Sequence, residues 1–236
     1  MPKETLSNLI KDINKLKNPQ KAQLLARFFK TGKGEYGEGD VFLGLTVPRQ
    51  RAIAKKYTKL TLADLRKLLN SKFHEYRLIS LLILTEKYKK ADNQEKNKIA
   101  GFYLKNTKKI NNWDLVDLSA HKILGDYLLE KDKKIIYRLA KSENLWERRI
   151  SILTTFYFIG KGEFEDSLKI AEILLNDKQD LIHKAVGWML REIGKRDTKT
   201  LTGFLEKYYK RMPRTMLRYA IEKFDDSKRK TFLNKS

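Results

Sequence analysis

Apolar positions along this chain return at three- and four-residue intervals almost everywhere, the spacing of one face of an α-helix. Leu6 to Leu16 is the first such stretch. Asn18-Pro19 caps and opens a second, carrying Leu24, Leu25, Phe28 and Phe29, because proline fits the first helical turn, where its missing N–H costs nothing. Pro48 opens a third, through Tyr57, and Thr61-Leu62-Ala63-Asp64 resembles a capping box, with Asp in place of Glu, leading a helix to Leu69. Further helices are predicted at about 74–89, 93–105, 113–129, 132–141, 145–159, 163–175, 179–195, 198–210 and 213–224. No segment alternates with a period of two and β-branched enrichment, so the pattern predicts an all-α chain with essentially no sheet.

The more apolar helices begin near Glu75, Trp113, Trp146, Ile182 and Pro213, at intervals of 38, 33, 36 and 31 residues. Alternating helix types at an irregular period in the thirties predict a curved solenoid of antiparallel helix pairs, whose inner helices line a basic concave groove. No Pro/Gly/Ser-rich linker interrupts the train, so one domain over 1–236 is expected. The single glycine-rich stretch, Gly32 to Asp40, is not a phosphate loop. It lacks a following Gly-Lys-Ser/Thr, and Glu35, Glu38 and Asp40 would repel phosphate. It reads instead as an interhelical loop with Tyr36 at its tip.

Charge changes the picture most. The 51 Lys and Arg against 29 Asp and Glu leave +22, which points to a polyanionic partner, nucleic acid before membrane surface. The hydrophobic share of 41% is ordinary for a folded protein, so the charge does not imply disorder. Cysteine is absent, which excludes disulfides, thiolate nucleophiles and Cys-containing metal sites. His74, His121 and His183 are dispersed, and no metal or other cofactor is expected. Met1–Lys17 has mixed charge rather than a signal-peptide pattern, and the apolar run Leu78–Leu84 is too short to span a bilayer. A soluble cytoplasmic protein is expected, nucleoid-associated if bacterial.

Candidate chemistry gathers on the more apolar helices. In a helix running from Trp113 to about Leu129, Asp117 falls within the apolar arc, while Asp114 points away from its centre. An inward acid is costly without a partner or a task. In the segment from Trp146, Arg149 falls inside the arc and Arg148 outside it; in the next, Trp188 lies on the arc's edge beside Gly187. Each has a plain structural alternative: tryptophans in a core, and Asp117 with Arg149 as a buried ion pair that sets register. An acid, an arginine and aromatics at comparable places in successive repeats favour a site over that alternative.

The chain resembles the DNA alkylation repair family of HEAT-like-repeat DNA glycosylases, the alkylpurine glycosylase D type. The resemblance is carried by Ala26-Arg27-Phe28-Phe29-Lys30, Tyr36 to Asp40, Phe42-Leu43-Gly44, Val47-Pro48, Trp113-Asp114-Leu115-Val116-Asp117, Trp146-x-x-Arg149 and Gly187 to Glu192. It implies hydrolysis of the N-glycosidic bond of cationic N3- and N7-alkylated purines in duplex DNA. Asp117 would be the catalytic carboxylate, Trp113 and Trp188 aromatic walls, and Arg149 a DNA-backbone contact that helps keep Asp117 ionised. Phe28 stands where the family can carry a Tyr and lacks that hydroxyl. A monomer suits one groove. The competing expectation is a non-catalytic basic helical-repeat scaffold that binds nucleic acid or damaged DNA.

Overall fold

The run Leu78–Leu84 becomes the middle of a 17-residue helix, His74–Lys90, with Leu78, Ile79, Ile83 and Leu84 wholly buried. Neither proline nor glycine interrupts it; Glu75 lies in its first turn and Lys87, Lys89 and Lys90 in its last, both favoured by the helix dipole. The computed structural model describes residues 4–234, so the first three residues of the Met1–Lys17 stretch lie outside it. Within it the chain is all-α; an isolated parallel bridge pairs Val41 with Phe73. Two compact units divide at Ser119 and Ala120.

In the first unit, α1 (Leu6–Asn14), α2 (Pro19–Phe28), α3 (Val47–Ala54) and α4 (Leu62–Leu69) precede α5 (His74–Lys90). Then come α6 (Asn93–Lys105), a 3-10 turn at Thr107–Lys109 and α7 (Trp113–Asp117). The caps are those read from the residues: Asn18 accepts from the Lys21 N–H, and Thr61 with Asp64 closes a full capping box. Helices α3, α4, α6 and α7 all pack on α5, which explains why its residues from Arg77 to Thr85 are all buried, whichever side they face. Between α2 and α3 the segment Leu43–Leu45 passes under α2. There Gly44 adopts φ 88°, and a side chain would strike the Asn18 carbonyl at 2.1 Å.

The second unit opens with a π-helical turn, His121–Gly125, continued by α8 (Asp126–Leu128). It is followed by α9 (Lys134–Ala140), α10 (Leu145–Gly160), α11 (Glu165–Ile173), α12 (Asp180–Gly194), α13 (Thr198–Tyr208), α14 (Arg214–Ala220) and α15 (Asp226–Asn234). Asn144 caps α10 by accepting from the Trp146 and Glu147 N–H groups. Helix α10 packs on α9, α11, α12 and the π turn, and α12 packs on α13 and α14. Gly187 makes the last contact possible: a methyl there would sit 2.5 Å from both the Met216 carbonyl and Tyr219 Cβ.

The elements differ from the expected ones in two places. The continuous helix 113–129 is broken: α7 ends at Asp117, Leu118 and Ser119 form a turn, and the π turn follows. Ser119 Oγ donates back to the Leu115 carbonyl at 2.5 Å and receives the Tyr103 hydroxyl at 2.9 Å, a side-chain link of the kind that bends and ends helices. Helix α15 was not anticipated, because Phe232 is its only buried residue and leaves no periodic stripe.

Candidate active site

Helix α7 carries two acids three residues apart, and they are employed differently. Asp114 is buried, with Oδ2 2.8 Å from His74 Nε2. His74, at the start of α5, is 1% exposed, and its other nitrogen, Nδ1, lies 3.3 Å from Asp40 Oδ2. Arg77, one turn along α5, reaches Asp40 Oδ1 with Nη2 at 2.6 Å and donates from Nη1 to the Ser71 carbonyl at 3.0 Å. The Asn112 amide donates to Asp40 at 3.4 Å, while its Oδ1 accepts the Trp113 N–H at 2.8 Å and caps α7.

This overturns the expectation that Asp117 is the inward acid and Asp114 the outward one: Asp117 is half-buried and Asp114 buried. The expected arc assumed an unbroken helix to Leu129, and it could not see His74, 40 residues upstream in the chain. A carboxylate goes inside where a cation meets it.

The electrostatics follow from the geometry. Burial opposes a charge on His74, but the charge and hydrogen bond of Asp114, with the hydrogen bond to Asp40, outweigh burial and the opposing Arg77 and push its pKa up to about 9. With a carboxylate at each nitrogen, the ring is a doubly donating imidazolium at neutral pH. Burial likewise works against ionised Asp40, yet the His74 hydrogen bond and the Arg77 charge hold its carboxyl below the usual range. Glu75, wholly buried, turns the other way and accepts the N–H groups of Leu43, Gly44 and Leu45.

Aromatic rings continue from this network. His74 stacks on Phe42 at 4.6 Å between centroids, Phe42 on Phe29 at 5.0 Å, and Phe29 on Trp113 at 5.0 Å. Phe28, 63% exposed, meets the half-exposed Trp113 edge-on at 5.9 Å. Trp113 Nε1 donates to the Tyr36 hydroxyl at 3.2 Å, so the tip of the glycine-rich loop packs on the site. The acids of that loop are used internally, Glu35 and Glu38 each accepting a loop glycine N–H at 2.8 Å. Of the expected site residues, the first unit therefore brings Phe28 and Trp113 together and sets Asp117 one turn from Trp113 on α7. Near Asp117 lies Tyr103, fully buried, whose ionisation is pushed far above the ordinary tyrosine range by burial first and by the Asp117 charge as well.

In the second unit, Arg149 is buried and donates from Nη1 to the Leu181 carbonyl in the first turn of α12 at 2.6 Å. Arg148 instead grips Asp177 at 2.6 Å and the carbonyls of Ser142 and Glu143. Trp188, half-buried on α12, lies 5.6 Å from Phe156, which lies 5.3 Å from His121. Trp146 is core. Residue-pattern reasoning missed His74, Asp40, Arg77 and Asn112. The available signal was a cluster of charge, His74-Glu75-x-Arg77, directly before the apolar run Leu78–Leu84.

Among the described residues no group of His, Asp or Glu is placed to hold a metal ion, and no helix is long and apolar enough to cross a membrane. An all-helical, strongly basic protein with a braced acid- and aromatic-bearing helix is the class of molecule these features define. The profile of the DNA alkylation repair enzyme family matches residues 9–224, and the chain belongs to that family. Its fold is similar to that of a predicted DNA alkylation repair enzyme from Enterococcus faecalis, at a TM-score of 0.69 and 18% identity over 89% of this chain and 97% of that one. A Streptococcus mutans UA159 protein, smu.31, is similar at a TM-score of 0.55 and 18% identity, covering 87% of this chain and all of that one. Comparison with curated proteins gives no match.

Proposed function

We propose that this protein is a DNA glycosylase that hydrolyses the N-glycosidic bond of cationic N3- and N7-alkylated purines in duplex DNA. One observation carries the choice of catalytic group. Of the two acids on α7, Asp114 is buried against His74, whereas Asp117 is half-buried, one turn along from the half-buried Trp113. A purine alkylated at N3 or N7 already bears positive charge and leaves without protonation by a general acid. The transition state asks for negative charge near an oxocarbenium-like sugar and a placed water, which one ionised carboxylate supplies. The electron-rich face of Trp113 attracts a cationic base or sugar by about 0.5–2 kcal/mol. Phe28 adds an exposed apolar edge to the same face, and Arg149 and Trp188 serve DNA binding in the second unit.

The test is single-turnover release of 3-methyladenine and 7-methylguanine from methylated duplex DNA in EDTA. The wild-type protein is expected to release free base, and Asp117→Asn to do so at least about 100-fold more slowly with DNA affinity little changed. Near wild-type release by Asp117→Asn would remove Asp117 from the mechanism. Binding without release by either protein would leave a basic helical scaffold.

A further inference from the structure

We propose that His74 is a positioning residue for base excision, holding α7 so that Trp113 and Asp117 keep their places against the lesion; this rests on the glycosylase reading above. His74 reaches α7 by two routes. Its Nε2 holds Asp114, the residue between Trp113 and the rest of the helix, at 2.8 Å. Its ring lies 5.0 Å from that of Phe29, on which the Trp113 indole stacks at 5.0 Å. A five-residue helix has too few internal hydrogen bonds to fix its own orientation, so side-chain anchors must do it. The far end is tied as well, through Ser119 and the Tyr103 hydroxyl. Asp117 thus sits between the Asp114 and Ser119 anchors, and Trp113, next to Asp114, is held by the Phe29 ring, which is the support a preorganised site requires.

The charges facing His74 are Asp114 from α7, Asp40 from the loop before α3, and Arg77 on its own helix; the neighbouring Glu75 is occupied by the Leu43–Leu45 amides. This arrangement makes the two nitrogens separable by substitution. His74→Gln keeps a donor near the Nε2 position toward Asp114, whereas His74→Asn keeps one near Nδ1 toward Asp40 and abandons α7.

The experiment pairs single-turnover base release with ¹⁹F NMR of the protein labelled with 5-fluorotryptophan, whose three resonances report Trp113, Trp146 and Trp188 separately. His74→Asn is expected to slow release about 10- to 100-fold, the scale of a misplacement of about 1 Å, with DNA affinity kept. It should also shift and broaden the Trp113 resonance alone, while His74→Gln restores most of both. In the wild type the Trp113 resonance is expected to titrate with His74 near pH 9, and in His74→Asn not at all. An unmoved Trp113 resonance, unchanged release, or equal damage at all three tryptophans would overturn the assignment, the last by showing a purely structural role. If the wild type releases no base, the glycosylase reading fails on its own, and an unmoved Trp113 resonance would still refute the anchoring.

Discussion

Replacing Glu75 with alanine tests how the first unit is held together. The carboxylate accepts from Leu43 N–H at 3.0 and 2.9 Å, Gly44 N–H at 2.8 Å and Leu45 N–H at 3.2 Å, and it is wholly buried. The carbonyls of the same stretch are satisfied elsewhere, Leu43 by the Asn18 N–H and Leu45 by the Gln50 amide. Only the three amides depend on Glu75. Each buried donor left unmet costs about 1–3 kcal/mol. The vacated volume admits one or two waters that recover part of this. The expected loss from Glu75→Ala is therefore about 4 kcal/mol, a large fraction of a total stability of about 5–15 kcal/mol. Glu75→Gln keeps one acceptor oxygen but turns an NH₂ toward a remaining N–H, so about half that loss is expected. The assay is urea unfolding followed by Trp113 fluorescence in a protein whose Trp146 and Trp188 are Phe, so that the signal comes from the first unit. A loss below about 1 kcal/mol for Glu75→Ala would show that the amides do not rely on this carboxylate.

Two further outcomes are expected. Gly187→Ala places a methyl 2.5 Å from the Met216 carbonyl and Tyr219 Cβ, so it should destabilise the second unit by about 1–3 kcal/mol or more; unfolding followed by Trp188 fluorescence, with no loss, would contradict the close approach. The first unit should also lose stability at both ends of the pH scale. His74 has its pKa raised from 6.5 to about 9 by folding, so its contribution, roughly 3 kcal/mol, is complete below about pH 6.5 and fades as pH rises through about 9. Asp40 is shifted the other way, so its contribution is complete above the ordinary carboxyl range and is lost as pH falls through it. A urea midpoint that stays constant between pH 6 and pH 9 would refute the His74 part.

What the residues determine by themselves here is local. Helices begin at Asn18-Pro19, Thr61 and Asn144 because a side-chain oxygen meets the first open N–H groups within three residues, and α5 is central because its run Leu78–Leu84 is apolar through nearly two turns. The same locality makes Trp113 with Asp117, and Arg149 with Trp188, visible as unusual residues on apolar helices. Tertiary structure decides which acid of α7 is buried, where the helix stops and what the glycine-loop acids do. Asp114 is inside because His74 comes from 40 residues away, α7 ends because Tyr103 and Ser119 meet, and Asp40 is consumed by Arg77. A helical period reports which side of a helix is greasy; the energy of a buried charge depends on its partner, and the partner's arrival is settled only when the chain has folded.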